Sequence, residues 1–279
     1  MSYKTILAVL QDKTDAERVL DCALPLGSRF SSHVIAVHSE AIPIPYVSPM
    51  GFPDTNFMAI SSKTNQQHSE ELKTIFETRA QREGLSFEWH ALESVSGDSA
   101  VGALIVARAC DLVIVQQVNP DASGGSRANV EALLFDSGRP VLIVPFATPV
   151  DTRFRKVLIA WNGTQQAARA VFDALPFIRE ADETEILTLD AVDTGQEDGA
   201  LAGVDIAAAL ARHGAKVTFS PASSGELGVG AAIERQIASS KAELLVMGAY
   251  SQSWLKEIFF GGTTRTVMRS MPVATLMAR

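Results

Sequence analysis

The chain contains an internal repeat, which limits its possible folds more than any other feature of the sequence. At an offset of 151 residues, the apolar run 5–11 aligns with residues 156–162. At an offset of 132 residues, the run 111–115 aligns with residues 243–247. The repeat indicates that one structural unit occurs twice, so a fold assigned to the first half also has to fit the second half.

The repeat divides the 279 residues into two predicted domains, at residues 1–147 and 153–279, joined by a short segment that contains Pro149. The two offsets differ by 19 residues, so the first copy carries an insertion of comparable length. Residues 41–61 supply this insertion, and their four prolines predict an irregular loop. Because the join is short, the two copies are expected to dock together as an intramolecular pseudo-dimer.

Each copy alternates short apolar runs with longer amphipathic stretches, which predicts strands that are buried on both faces of a parallel sheet. The fold class is therefore α/β, with two tandem doubly wound five-stranded parallel-sheet domains of Rossmann-like type. The hydrophobic last strand of each copy offers an edge for pairing with its counterpart. The predicted strands are residues 4–10, 33–39, 86–92, 111–117, 140–146, 155–161, 184–190, 215–220, 243–249 and 272–277.

In a doubly wound sheet, ligands bind at the carboxyl ends of the strands, where the winding direction reverses. This rule directs attention to the segment after the fourth strand of the second copy, which contains Gly248, Gly261, Gly262, Thr263 and Thr264. Glycines and a following helix start suit a phosphate, because main-chain N–H groups can approach it closely. The structural alternative is equally open at this point: a strand end, a tight turn and a capping threonine.

The same segment resembles a known family signature. Its pattern is Gly, two residues, a small residue, nine residues, Gly and then Thr, followed by a helix and a Pro-Val strand. This pattern is similar to the ATP-binding signature of the universal stress protein (UspA-like) family, and the repeat resembles its tandem-domain members. The resemblance implies an adenine nucleotide alpha hydrolase-like fold and a site for ATP or another adenine nucleotide, with Mg²⁺ as a candidate companion. The resemblance implies that Asn162 and Leu189 flank the adenine. The residues implied around the triphosphate and ribose are Gly248, Ser251, Gly261, Gly262, Thr263 and Thr264, with Met247 beside them.

Three positions depart from the family pattern. Ser251 stands where a second glycine is usual, Gly262 stands where a Ser or Thr is usual, and Asn162 replaces an Asp that typically meets the base. Asn retains part of the hydrogen-bonding capacity of Asp and adds two donors. These departures leave open whether the second copy binds nucleotide.

The first copy differs more strongly, because side chains stand where main chain would have to approach a phosphate. At the offset of 132 residues, the positions of Gly248, Ser251, Gly261 and Gly262 are taken by Gln116, Asn119, Asn129 and Val130. The first copy is therefore predicted to be a structural partner rather than a second nucleotide site.

Charge and composition exclude several classes of protein. The formal net charge of −8 and the pI near 5.2 argue against binding to nucleic acid or to an anionic membrane, which both require clustered cations. No apolar run approaches the roughly 20 residues of a membrane span. The N-terminus has no leader pattern, which predicts a cytoplasmic location. Cys22 and Cys110 lie in apolar helical patterns and are expected to be inert buried thiols.

No metal or catalytic site is expected from the remaining motifs. The histidines lack paired metal-ligand spacing and are interpreted as surface or capping residues: His33, His38, His68, His90 and His213. Ser223 and Ser224 have no nucleophile-elbow context, and the nearby glycines do not form a dinucleotide fingerprint.

Three functions remain compatible with the sequence. The leading hypothesis is a cytoplasmic stress-response or regulatory protein that binds ATP or another adenine nucleotide in its second domain without rapid turnover. The second is an ATP-independent interaction protein that uses residues 41–61 as a contact surface. The third is a nucleotide hydrolase or nucleotidyl transferase, for which Glu257 is the only carboxylate close to Gly261 in the sequence. Assembly into a homodimer stays open.

Overall fold

One mixed sheet forms the centre of the protein. The computed structural model describes residues 2–44, 55–119, 128–190, 197–249 and 271–279. Within these ranges, ten strands lie in the order β3-β2-β1-β4-β5-β10-β9-β6-β7-β8. Each strand forms from one of the predicted apolar runs. They are β1 Thr5–Val9, β2 His33–Ala41, β3 Ser86–Ser94, β4 Leu112–Gln116, β5 Val141–Val144, β6 Lys156–Ala160, β7 Glu183–Leu189, β8 Val217–Ala222, β9 Leu244–Gly248 and β10 Ala274–Ala278.

The strand order repeats between the two halves of the chain. The N-terminal half contributes the order β3-β2-β1-β4-β5, and the C-terminal half contributes β8-β7-β6-β9-β10. Neighbouring strands are parallel within each half. The halves meet where β5 and β10 pair antiparallel, with Thr275 opposite Ile143 and Leu276 opposite Leu142. This arrangement confirms the predicted α/β class, with two doubly wound five-stranded units.

Helices cover both faces of the sheet, as a doubly wound fold requires. Core residues on one face come from α1, α2, α5, α6 and α7, and those on the other face come from α3, α4 and α8. No helix in the described ranges is long and apolar enough to cross a membrane. The helices are α1 Lys13–Phe30, α2 Thr55–Arg82, α3 Ser99–Ala107, α4 Val130–Asp136, α5 Gln165–Asp173, α6 Leu175–Glu180, α7 Glu197–Arg212 and α8 Gly228–Ser240.

The prediction of a loop across residues 41–61 is wrong at its C-terminal end. Helix α2 already begins at Thr55, and residues 45–54 lie outside the described residues. The last proline of the segment is Pro53, so nothing after it removes a backbone donor or blocks a helix. Leu72 and Phe76 anchor α2 by packing, fully buried, into the core. Residues 57–61 are mostly exposed, so the helix propagates there from its packed part, through a segment without proline.

An aromatic cluster joins the two halves next to the paired strands. Tyr3 and Phe30 of the N-terminal half pack against Phe177, with ring centroids 5.1 Å and 5.8 Å away. Phe177 also meets Phe154 edge to face at 5.1 Å. The Tyr3 hydroxyl donates a hydrogen bond to the carbonyl oxygen of Asp173 at 2.6 Å, and burial raises the pKa of this phenol well above its usual value. The cluster ties the first residues of the chain to the second half.

An ion pair crosses the same junction between repeat-equivalent positions. Arg29 Nε donates to Glu180 Oε2 at 2.7 Å, and these residues are 151 positions apart, which is the offset of the repeat. Arg29 also donates to the carbonyl oxygen of Thr152 at 2.7 Å, in the segment between the halves. In a symmetric dimer of identical units, equivalent residues would place like charges together. Because the units are fused, the two positions differ and carry opposite charges.

We expect the aromatic cluster to contribute strongly to global stability. Replacing buried Phe177 with alanine should lower the free energy of unfolding by about 3–5 kcal/mol, because it leaves a cavity between the halves. Phe172 lies on the neighbouring helix and is 44% exposed, so Phe172→Ala is a matched control with an expected loss below about 1 kcal/mol. Urea denaturation measures both values. Equal losses in the two variants would contradict a packed junction.

Candidate functional site

The strand order brings four of the predicted site residues to one edge of the sheet. Strands β9, β6 and β7 are neighbours, and their carboxyl ends lie side by side because they are parallel. Leu189 ends β7, Met247 and Gly248 end β9, and Asn162 follows β6 by two residues. The other predicted residues lie outside the described residues: Ser251, Gly261, Gly262, Thr263 and Thr264.

Asn162 helps to start helix α5. Its Oδ1 accepts hydrogen bonds from the main-chain nitrogen of Thr164 at 3.3 Å and from Thr164 Oγ1 at 2.7 Å. Thr164 is the N-cap, and its Oγ1 accepts from the nitrogen of Ala167 at 3.3 Å. Gly163, between them, has a φ of 69°, which glycine adopts without strain. Asn162 is therefore exposed at the strand edge, with its amide oxygen fixed by the turn.

Gly248 has a packing role. A Cβ added there would lie 2.5 Å from the nitrogen of Ala167 and 2.7 Å from the carbonyl carbon of Gln166. Helix α5 thus passes so close to the end of β9 that no side chain fits. For Gly248, this contact favours the structural interpretation that the sequence left open.

The side chains of Met247 and Leu189 belong to the hydrophobic core. Met247 is only 1% exposed and packs in the cluster on the α8 face of the sheet. Leu189 is half-buried and contacts the same cluster. Of the described candidates, Asn162 alone is exposed, while Leu189 presents part of its surface.

Asp190 connects the end of β7 to the segment before α8. Its Oδ1 accepts from the nitrogen of Ser224 at 2.9 Å and from Ser223 Oγ at 3.1 Å. Hydrogen bonds from Ser224 hold the pKa of this carboxyl below its usual value. The two serines therefore support a loop, in agreement with the lack of a nucleophile motif.

Sequence reasoning missed Trp161 and Thr188 as members of this region. The indole nitrogen of Trp161 and Oγ1 of Thr188 are buried, and neither atom has a hydrogen-bond partner within the described ranges. Buried polar atoms almost always have a partner, so these two are candidates for contact with a ligand or with chain outside those ranges. A tryptophan directly after β6, where the first copy has Leu10, was the available sequence signal.

In the N-terminal half, Gln11 closes the equivalent edge. Gln11 occupies the repeat position of Asn162 but is only 6% exposed. Its Nε2 donates to the carbonyl oxygen of Gly97 at 2.8 Å, and its Oε1 accepts from the nitrogen of Ser99 at 2.8 Å. The side chain therefore spans from the end of β1 to the start of α3.

In the same half, the carboxylate of Asp98 accepts hydrogen bonds from main-chain nitrogens at the starts of both α3 and α4. Asp98 caps α3 by accepting from the nitrogens of Ala100 at 2.9 Å and Val101 at 3.2 Å. Both of its oxygens also accept from the nitrogen of Asn129 at 3.2 Å, directly before α4. Asn129 in turn caps α4, and Val130 is buried. Main-chain donors that suit a bound anion are thus already paired with Asp98.

Comparison with known proteins agrees with the fold. A family model, described as the universal stress protein family, matches residues 153–279. Residues 153–279, the C-terminal half, thus form a universal stress protein domain. No curated protein matches the chain. Solved structures similar to it include a universal stress protein from Archaeoglobus fulgidus DSM 4304, with 17% identity, a TM-score of 0.72, and coverage of 99% of this chain and 96% of that one. A proposed universal stress protein from Pseudomonas aeruginosa UCBPP-PA14 has 17% identity, a TM-score of 0.61, and coverage of 99% and 93%.

A cavity of about 320 Å³ lies at the opposite edge of the universal stress protein domain. Residues at the amino ends of β6, β7 and β8 line it, including Lys156, Glu183 and Lys216. Lys156 Nζ is 3.2 Å from Glu183 Oε2, so charges of both signs are present and partly paired. None of the predicted site residues that the structure describes lines this cavity.

The interpretation of all histidines as surface or capping residues is wrong for His38. His38 is only 1% exposed, and its Nε2 lies 2.9 Å from Glu40 Oε1. His68 Nδ1 lies 2.6 Å from the same oxygen. The contact joins β2 to α2, two elements that are distant in sequence.

Both cysteines are buried free thiols, as the sequence predicts. Burial raises the pKa of Cys22 to about 12 and that of Cys110 to about 11.

Asp15 lies beside Gln11 at the closed edge and should make the stability of the protein depend on pH. Its carboxyl accepts from the nitrogens of Gln11 at 3.0 Å and Asp12 at 2.9 Å, yet burial raises its pKa to about 7. The unfolded value is about 3.9. The folded state thus holds this proton more tightly, and stability should fall as the pH rises from about 4 to about 7.

We expect Asp15→Asn to remove this component, because asparagine stays neutral and keeps an acceptor oxygen. The free energy of unfolding of the variant, minus that of wild type, should become more positive between pH 5 and pH 8 in urea titrations. Asp190→Asn is the control: the pKa of Asp190 is lowered, so its difference should stay constant over this range. A constant difference for Asp15→Asn would contradict a protonated, buried carboxyl.

Proposed function

We propose that the protein is a cytoplasmic stress-response or regulatory protein that binds ATP or another adenine nucleotide, with Mg²⁺, in its C-terminal half. The adenine would lie near Asn162 and Leu189, and the triphosphate near Ser251 and residues 261–264. The N-terminal half, residues 1–147, would serve as the structural partner within an intramolecular pseudo-dimer. One observation supports the proposal above all. The two halves share one strand order, yet the carboxyl-end edge of the sheet is closed by side chains in the N-terminal half and exposed at Asn162 in the C-terminal half.

The N-terminal edge supplies from its own chain the groups that a ligand would supply. Gln11 takes the space over the end of β1, and Asp98 pairs with the donors at two helix starts. At the C-terminal edge, Asn162 turns back onto Thr164 and is exposed, whereas Gln11 is buried. In the described part of the chain each edge also has a buried polar atom without a partner, Trp161 Nε1 at the C-terminal edge and Gln116 Oε1 at the N-terminal edge. Equivalent edges of one fold thus differ in what occupies them, which supports a ligand at the second.

Binding without rapid turnover fits the described groups. Asp190 is a carboxylate next to β7, but Ser223 and Ser224 hold it in a loop contact and its pKa is lowered. A general base is most effective when its pKa is near the working pH. Asp190 is therefore a poor general base, and the proposal is a nucleotide-dependent conformational role. Glu257 lies outside the described residues.

A second candidate function is ATP-independent interaction through the region of residues 41–61. Ile44 and Ile60 are 69% and 66% exposed, and Ile42 and Phe57 are also largely exposed. Exposed apolar side chains that cluster along the sequence are a common feature of protein contact surfaces. This surface belongs to the half in which the nucleotide edge is closed.

Calorimetric titration with Mg-ATP tests the proposed nucleotide site. Wild type should release heat, and Gly261→Val should abolish it by blocking main-chain approach to the phosphates. Asn162→Ala should weaken binding about tenfold, as loss of one hydrogen bond of about 1.4 kcal/mol predicts. Gln11→Ala is the matched control at the repeat-equivalent position: it should bind ATP as wild type does while losing about 1–3 kcal/mol of stability.

The outcomes separate the alternatives. Absence of heat in wild type would contradict nucleotide binding and favour the interaction protein. Weaker binding in Gln11→Ala, with Asn162→Ala unchanged, would move the site to the N-terminal half and contradict the proposal.

A further inference from the structure

Three side chains with metal-binding atoms converge on one face of the sheet in the N-terminal half. His38 and Glu40 are two residues apart on β2 and therefore point to the same face. Helix α2 packs on that face and brings His68 to the same point. The ligand atoms of the three residues all lie within 4.8 Å of one another. The exposed fractions of the side chains are 1% for His38, 18% for Glu40 and 35% for His68.

The hydrogen bonds of His38 favour a cation between its Nε2 and Glu40 Oε1. Its Nδ1 lies 2.9 Å from the carbonyl oxygen of Leu10, which only accepts, so Nδ1 carries a proton. In neutral imidazole, Nε2 then holds a lone pair, and this lone pair faces Glu40 Oε1 at 2.9 Å. Two acceptors at this distance require a proton or a metal cation between them. A cation bound by both atoms, and by His68, satisfies the whole cluster.

The surroundings hold these side chains in the orientation that a metal site needs. A metal-bound histidine usually donates its other ring N–H to a carbonyl or carboxylate, as His38 does to Leu10. The ring of His38 also stacks on Trp89, with centroids 6.3 Å apart. Asn65, nearly one turn before His68 on α2, donates to the carbonyl oxygen of Ala41 at 2.7 Å. This bond fixes α2 against the end of β2.

We propose that His38 Nε2, Glu40 Oε1 and His68 Nδ1 bind a Zn²⁺ ion. Two imidazoles and a carboxylate form a ligand set that suits zinc, with a fourth position left for water or an external ligand. Zn–N and Zn–O bonds of about 2.0–2.1 Å place tetrahedral ligand atoms about 3.3 Å apart. The observed separations from Glu40 Oε1, 2.9 Å to His38 Nε2 and 2.6 Å to His68 Nδ1, each have to open by less than about 1 Å. Both Glu40 and His68 are partly exposed and can move, while buried His38 stays in place.

The proposed zinc site is specific to the N-terminal half and independent of the proposed nucleotide site. The main-chain bonds from Leu10 to Val37 and from Trp161 to Leu187 align the two copies. In this alignment, the repeat positions of His38 and Glu40 hold Thr188 and Asp190. The C-terminal half thus lacks this set of ligands at the equivalent positions.

Zinc binding to the full chain, first stripped of metal with a chelator, tests this proposal. Competition with a chromophoric chelator at pH 8 should give one tightly bound Zn²⁺ per chain. His68→Ala and Glu40→Gln should weaken binding by about 10- to 100-fold or more, since each removes a ligand. Zinc should also raise the melting temperature of wild type but not of His68→Ala.

His90→Ala is the matched control. His90 Nε2 lies 2.8 Å from Glu88 Oε1 on the neighbouring strand β3, so this pair resembles the proposed one but is more exposed. Its loss should change zinc affinity less than about twofold, and Co²⁺ bound to wild type should show the intense visible absorption of tetrahedral coordination. No zinc uptake by wild type would overturn the proposal and assign a proton to His38. Equal weakening in His90→Ala, or none in His68→Ala and Glu40→Gln, would overturn it as well.

Discussion

Main-chain pairing between β5 and β10 holds the protein together as one body. These are the last strands of the two halves, and each is an apolar strand that would be an open sheet edge in isolation. Pairing them antiparallel turns two five-stranded parallel sheets into one sheet of ten described strands. It also brings the aromatic rings of Tyr3, Phe30, Phe154 and Phe177 together across the junction. The other strands of each half lie on either side of this central pair.

Fusion of two copies allows them to differ while the seam keeps them in register. At the junction, Arg29 and Glu180 occupy equivalent positions with opposite charge. At the carboxyl ends of the strands, Gln11 is buried and bridges two elements, whereas Asn162 is exposed and caps its own turn. The same divergence places histidine and glutamate on β2 where the second copy has Thr188 and Asp190. In the N-terminal half the edge is thus closed by Gln11 and Asp98, although Gln116 Oε1 lacks a partner in the described residues. We propose that the C-terminal half kept the ligand edge.

The sequence predicted the sheet well, because strands buried on both faces leave continuous apolar runs that periodicity detects. Helix α2 was predicted less well, since its first turns follow directly after the proline-rich segment and were assigned to the same loop, although no proline lies beyond Pro53 in this segment. For the site, the topology brought Asn162, Leu189 and Gly248 to one edge, yet the sequence could not decide why Gly248 is a glycine. The role of Gly248 depends on its distance to α5, which is a property of the tertiary structure. The cluster of His38, Glu40 and His68 escaped notice because it joins a strand to a helix 28 residues further along the chain.

Hydrogen–deuterium exchange with and without Mg-ATP tests the central difference between the two edges most directly. We expect nucleotide to slow exchange in peptides that cover residues 160–165 and 247–270, and to leave residues 9–12 and 96–100 unchanged, because Gln11 and Asp98 already pair the donors there. Protection at residues 9–12 and 96–100 instead, or no protection in either half, would contradict the account of one open edge and one closed edge.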